Sequence, residues 1–327
     1  MKEGKIASEE LSRLLKETSR APEIIVGAEA GEDAAVVHSD EIIIITADPI
    51  TFTEENIGTY TVAVNCNDIV AMGGMPKYLT TTIFLPPDST LKKLTAVFKE
   101  INYACRQAGV LWVGGHTEVT SAVTRIVISA QMVGSLFKEP TVTSGAQAGE
   151  LLVMSKWAGL EATTLLARKK KQVCRKLLGR EGFKRVLGWL HDPGISIIRE
   201  GRILKETRIT AGHDPTEGGI ATGIHEIASR SGVGARIDSA KINIREETLA
   251  LCSYFNLDPL GILSSGVFLF TAPPELAGDA CAKLNTGGIP AAVIGEITPD
   301  PGKIILVQGE KARPLPLYSK DELLKVL

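Results

Sequence analysis

Residues 64–76 read Val64-Asn65-Cys66-Asn67-Asp68-Ile69-Val70-Ala71-Met72-Gly73-Gly74-Met75-Pro76, or VNCNDIVAMGGMP. The spacing predicts a helix from Ile57 to Met72, stopped by Gly73-Gly74 and then Pro76. It is apolar enough to be packed inside the protein. Two amides and a carboxylate nevertheless stand in its middle. Each buried polar group left without a partner costs roughly 1–3 kcal/mol. Either other side chains satisfy the cluster, or a ligand does.

The surrounding chain has 327 residues, enough for two domains that each bury a core. It is 44% apolar and 23% charged, and 36 Lys+Arg against 38 Asp+Glu leave a formal net charge of -2. That balance argues against nucleic acid and an anionic membrane as partners. The start, MKEGKIASEELSRLLKE, has no apolar core after its basic residue and does not read as a signal peptide. No apolar run approaches the ~20 residues a membrane span needs. The five cysteines are scattered, with no CxxC pair and no zinc spacing, which reads as reduced thiols in a cytoplasmic protein.

Strands and helices alternate along the chain. A short amphipathic helix is expected over residues 8–18, then a hairpin of AAVVH and EIIIITA, with Asp48 ending its second strand. YLTTTIFLPP and TRIVISAQMVGS read as strands, and LKKLTAVFKEINYACRQAG as a long amphipathic helix. Residues 138–150, KEPTVTSGAQAGE, are rich in small and turn-forming types and mark a boundary. Beyond it, LLVMSK, ARID, GVFLF, AAVIGEI and KIILVQG read as strands, and the loop GHDPTEGG opens the helix IATGIHEIASRSG.

Polar residues gather at the ends of these elements. Glu32 and Asp33 precede a strand, and Asp48 stands where one stops. Asn65 and Asp68 share a helix face, and Gly114-Gly115-His116-Thr117-Glu118 follow LWV. Singly, Asp33 and Asp48 read as turn formers and Asp68 as the partner of a basic side chain. Jointly they are the oxygen ligands that magnesium and phosphate use. Asp214 or Thr216 either caps the helix after Gly218-Gly219 or frames an anion site at its start.

GEDAAVV, Asp48, VNCNDIVAMGGMPKYL, GVLWVGGHTEVT and HDPTEGGIATGIHEIA occur in an order that resembles the aminoimidazole-ribonucleotide (AIR) synthase superfamily. DPTEGGIATGIHEIASRSGVGARI and LDPLGILSSGVFLF look most similar to its hydrogenase-maturation branch. The resemblance implies a two-domain PurM-like α/β (α+β) fold, with a homodimer-forming ATP- and magnesium-binding domain at 1–137, a linker at 138–149 and an α/β sandwich at 150–327. The N-terminal strands would form a dimer-interface sheet or barrel, for which EIIIITA and TRIVISAQMV are suited because they make poor exposed edges.

Asp33, Asp48 and Asp68 would hold magnesium, with Glu118 as a substitute where relatives carry an acid and this chain has His116. Gly31, Glu32, Asn65, Asn67, Gly114, Gly115, His116, Thr117, Thr216, Gly218 and Gly219 would bind ATP, and Asp214 would orient the substrate. Ligand, rather than protein, would then pair Asn65 and Asp68. The implied function is ATP-dependent phosphoryl transfer to an oxygen or similar nucleophile. The alternatives are a nucleotide-binding relative without chemistry and a kinase or synthase of a small phosphorylated metabolite. The hydrogenase-maturation branch works through a cysteine at the end of its chain. Residues 317–327 here contain none, so the chain is not expected to be a working carbamoyl dehydratase itself. The basic stretch RKKKQVCRKLLGREGFKR reads as a solvated helix face.

Overall fold

A computed structural model describes residues 22, 24–26, 31, 32, 34–38 and 40–327. The helix expected over residues 8–18 lies outside them. Strands β1 (Ile24–Val26), β2 (Ala35–His38) and β3 (Ile42–Ile50) run antiparallel, with Ala35 opposite Ile45 and His38 opposite Ile42. Helix α1 (Ile57–Ala71) follows as the spacing predicts, then β4 (Gly74–Leu85), α2 (Leu91–Ala108), β5 (Leu111–Val119) and β6 (Val127–Leu136). Thr90 caps α2 by accepting from the Lys93 N–H, and Gly109 closes it in the left-handed conformation.

These strands form one sheet in the order β1-β2-β3-β6-β4-β5. Alternation along β6 buries Ile128, Ala130 and Met132 beneath the helices and leaves Val127, Ser129 and Gln131 half-buried on the other face. β3 and β6 are therefore interior strands paired with each other, as apolar strands that would make poor exposed edges require. The edge opposite β1 is β5, with Leu111, Val113 and Val119 each about 60% open to solvent (63%, 59% and 62%).

The second half holds β7 (Leu151–Ser155), α3 (Leu160–Lys169), α4 (Lys171–Gly188), α5 (Ile198–Leu204), β8 (Ala211–His213) and α6 (Gly219–Ser231). β9 (Gly234–Asp238), α7 (Glu246–Phe255), β10 (Leu269–Ala272), α8 (Pro274–Thr286), β11 (Ala291–Thr298), β12 (Ile304–Gln308) and β13 (Lys311–Pro314) complete it. Its sheet runs β13-β12-β9-β11-β7-β10-β8, antiparallel except where β9 meets β12. GVFLF gives a regular strand only from Leu269, and DELLKVL gives one 3-10 turn, Glu322–Lys325, instead of a helix. The basic stretch runs from the end of α3 through α4, which is kinked at Gly179 and leaves its own lysines and arginines exposed, while Arg168 of α3 is largely covered. Among the described residues no helix is long and apolar enough to cross a membrane.

The second half buries an apolar cluster of its own, around Leu152, Ile220, Ile237 and Leu269, and a further cluster is shared between the halves. The shared one joins Ile69, Met72 and Ile101 of the first half to Ile197, Phe268 and Phe270 of the second. Burying a side chain of this size contributes ~1.5–3 kcal/mol, so the shared cluster fixes α1 against the second half. Within the second half, the fully buried Lys156 donates from its Nζ to the Ser196 and Gly266 carbonyls and pairs with Glu200 at 2.9 Å, pinning α5 to the end of β7.

Candidate functional site

The polar cluster of α1 meets β3. Thr46 Oγ1 donates to Asp68 Oδ2 at 2.6 Å, and the buried Asn65 clasps the backbone of Asp48, accepting from its N–H at 3.0 Å and donating to its carbonyl at 3.3 Å. Asn65 also donates to the Thr61 carbonyl. Asp48 shares the parity of Ile44 and Thr46, which places it on the helix-covered face beside Asp68. The strand runs on to Ile50, so Asp48 does not end it; it pairs with Ala130 inside the ladder.

Asn67 points elsewhere. Its amide donates to the Ile195 carbonyl and accepts from the Ile197 N–H, both at 2.9 Å, across 128 and 130 residues of sequence. The expectation that a ligand would satisfy the amides of this helix therefore fails for Asn65 and Asn67. An amide both donates and accepts, so it can bridge a backbone N–H and C=O at once. Burial left the protein to supply those partners. Asp33 lies outside the described residues. Among them, no group of three or more His, Cys, Asp and Glu could hold a metal ion. Asp48 and Asp68 do fit the sparser demand of magnesium, which keeps its waters and takes one or two carboxylates beside phosphate oxygens.

The corner at Gly114–Glu118 is placed differently. These residues lie within β5, not after a strand, because the ladder with β4 continues to Val119. Gly115 has a packing reason: a Cβ there would lie 1.9 Å from the Thr81 carbonyl, where the register shifts by one residue. His116 and Glu118 pair with Thr82 and Phe84, the half-buried open face of β4, whereas Asp48 aligns through Ala130 with the buried Thr81. Glu118 thus stands on the opposite face of the sheet from Asp48 and Asp68 and does not join them within one chain. It lies 3.6 Å from His116, both well exposed. Thr117 shares that exposed edge.

In the second half, the α6 entrance already holds a carboxylate. Asp321 Oδ2 accepts from the Gly218 N–H at 2.9 Å, and its Oδ1 from Leu323 at 2.8 Å, so one side chain caps two helical turns. Gly218 (φ 80°) is required: a Cβ would meet Thr222 Oγ1 at 2.3 Å. Gly219 follows as the first residue of the helix. Asp214 is buried directly after β8, next to His213, whose Nε2 lies 2.7 Å from Glu226. Thr216 accepts the turn bond of Gly219 through its carbonyl. Glu32 reaches this half too, pairing with Arg230 at 3.1 Å, and Gly31 packs on the same arginine.

Sequence reading missed two acids here. Burial pushes Glu161, at the start of α3, up to about 7, opposed by hydrogen bonds from Ser265 and assisted by the charge of Asp321. Among the described residues its Oε2 has no hydrogen-bond partner. Burial likewise raises Asp321 to about 6. Asp321 followed by Glu-Leu-Leu is a legible cap signal; Glu161 carries no local signal, because its burial is a tertiary fact. Four of the five cysteines are buried, and burial raises every thiol, Cys105 and Cys252 to about 12. None is a ready thiolate.

The chain is 28% identical over 306 residues to a Methanocaldococcus jannaschii protein bearing the name hydrogenase expression/formation protein, covering 89% of this chain and 88% of that one. It is 28% identical over 257 residues to the carbamoyl dehydratase HypE of Rhizobium leguminosarum, covering 77% and 71%. A crystal structure of the hydrogenase maturation protein HypE in complex with ATP superposes with a TM-score of 0.74 at 23% identity, covering 96% of this chain and 91% of that one. The fold is thus PurM-like. Residues 31–136 match the N-terminal domain of AIR synthase related proteins and residues 147–308 their C-terminal domain, and the chain belongs to that family.

Proposed function

We propose that the protein is an ATP- and magnesium-dependent enzyme that transfers a phosphoryl group to an oxygen or related nucleophile of its substrate. The observation carrying this reading is the pair Asp48 and Asp68 on one face of the α1–β3 contact. In this reading they hold a magnesium ion that neutralises charge on the triphosphate, where most of the help in phosphoryl transfer lies. Asn65 fixes the backbone beside them, and Thr46 orients the Asp68 carboxylate. Asp214 is the candidate for orienting the substrate, and the stretch 138–149 is the proposed boundary between the two domains. The relative named carbamoyl dehydratase and the ATP complex of a fold neighbour support ATP as the phosphoryl donor. The test is magnesium-dependent ATP turnover by the purified chain, with and without a carbamoyl donor. ADP accumulation supports the reading, and absence of any nucleotide turnover across donors and acceptors overturns it.

A second reading is a nucleotide-binding relative without chemistry, favoured by the α6 entrance being capped by the chain's own Asp321. ATP binding without turnover identifies it. We further propose a homodimer through the open face and β5 edge of the first sheet, where Tyr78, Leu111, Val113 and Val119 are exposed. A monomer by light scattering at micromolar concentration overturns that assembly.

A further inference from the structure

Helix α1 has a second working face. Thr59, Val62, Ala63 and Cys66 form a stripe at i, i+3, i+4 and i+7, turned well away from Asn65 and Asp68. This stripe is one wall of a cleft of about 260 Å³ closed by α2, the turn Leu190–Gly194 and α5. Its floor is apolar, with Val62, Cys66, Ile195 and Ile198 all buried. Tyr103, Gln107, His191, Arg199 and Arg202 line its rim, and no aspartate or glutamate among the described residues lines it.

The two arginines are three apart on α5 and share a face. Each is anchored by one N–H: Arg199 Nη2 donates to the Gly287 carbonyl at 2.8 Å and Arg202 Nη2 to the Ala108 carbonyl at 2.9 Å. Neither has a carboxylate partner among the described residues. A guanidinium carries five donors, so both are held in place with donors to offer. Burial, followed by the charge of Arg168, lowers His191, which is therefore neutral at pH 7 and adds a polar contact without charge. Burial raises the Cys66 thiol, so the floor stays protonated and apolar.

We propose that this cleft binds a small organic anion, its apolar body against Val62, Ala63, Cys66 and Ile198 and its carboxylate or phosphate head on Arg199 and Arg202. The lining by arginines, with no acid among the described residues, separates the site from a magnesium–nucleotide site, which needs carboxylates. Ligand chemistry of this kind matches a pocket with an apolar floor and few placed polar groups.

The full chain is titrated by calorimetry with phenyl phosphate and with benzoate, and with benzyl alcohol as the uncharged counterpart. Saturable 1:1 binding of at least one anion, with benzyl alcohol at least about tenfold weaker, is expected, since a charge-assisted contact to arginine is worth on the order of 1.4 kcal/mol or more. The tighter anion identifies the head group. Arg199→Gln and Arg202→Gln, both exposed, should each lose about tenfold, and Ala63→Leu should abolish binding by filling the floor. If neither anion binds saturably, or both arginine variants bind as tightly as the parent, the proposal is overturned. So it is if benzyl alcohol binds as well as the anions.

Discussion

The polar middle of α1 and the entrance of α6 both resemble ligand sites in sequence, and at both the protein supplies partners of its own. The manner differs. On α1, Asn65 and Asn67 bond backbone atoms of β3 and of the segment before α5, so the amides are staples between distant parts of the chain. At α6, a single carboxylate from near the end of the chain supplies the cap. The carboxylates of α1 and β3 teach the complementary point. An ionised carboxylate only accepts, so it cannot bridge an N–H and a C=O as an amide does. Amides in a buried helix therefore point to architecture, and neighbouring carboxylates point to a cation.

The comparison breaks first at Asn67. Asn67→Ala removes both bonds and leaves the Ile195 carbonyl and Ile197 N–H buried, which should cost about 2–4 kcal/mol in urea denaturation. A cost below about 1 kcal/mol would mean that ligand or water, not this amide, holds the segment. Asp68→Asn keeps the shape and removes the charge. It should leave the melting temperature within a few degrees while lowering magnesium-dependent ATP turnover by about 100-fold or more. Equal turnover in parent and variant would detach Asp68 from catalysis.

How much of this was legible follows from the range of the signals. α1, α2 and α6 were read to within a residue or two because periodicity and glycine stops are local. The β2–β3 hairpin was read for the same reason. The strand order was not, because which strands pair is set by long-range contacts that no local signal carries. His116 and Glu118 were grouped with Asp48 by motif order, yet a one-residue register shift beside Val113 decides the face they occupy. Asn65, Asn67 and Asp68 were seen as a cluster, but apart from Thr61 their partners lie 17 to 130 residues away.

The α6 side of the comparison is sharpened by Asp321→Ala. Losing a cap shared by Gly218 and Leu323 should cost about 1–2 kcal/mol, with Asp321→Asn costing less. Magnesium–ATP affinity should stay within about twofold of the parent, as a structural cap requires. A gain in affinity instead would mark the capped entrance as a ligand site held shut.

The smallest expected effect concerns Glu161, and its sign is set by burial. Its folded pKa, about 7, stands above the ordinary value of 4.5, so the folded state holds the proton more tightly than the unfolded state. Its contribution to stability is fully present below pH 4.5 and is lost as pH rises through about 7. Asp321 acts in the same direction between 3.8 and about 6. Glu161→Gln removes the first of these losses and also relieves Asp321 of a neighbouring charge. The variant should match the parent near pH 4 and exceed it by about 1 kcal/mol at pH 8, with a flatter profile between. Denaturant midpoints across that range measure it. A variant less stable than the parent at pH 8 would show that the Glu161 carboxylate is stabilised as an anion, and would place a cation at the Oε2 that has no hydrogen-bond partner among the described residues.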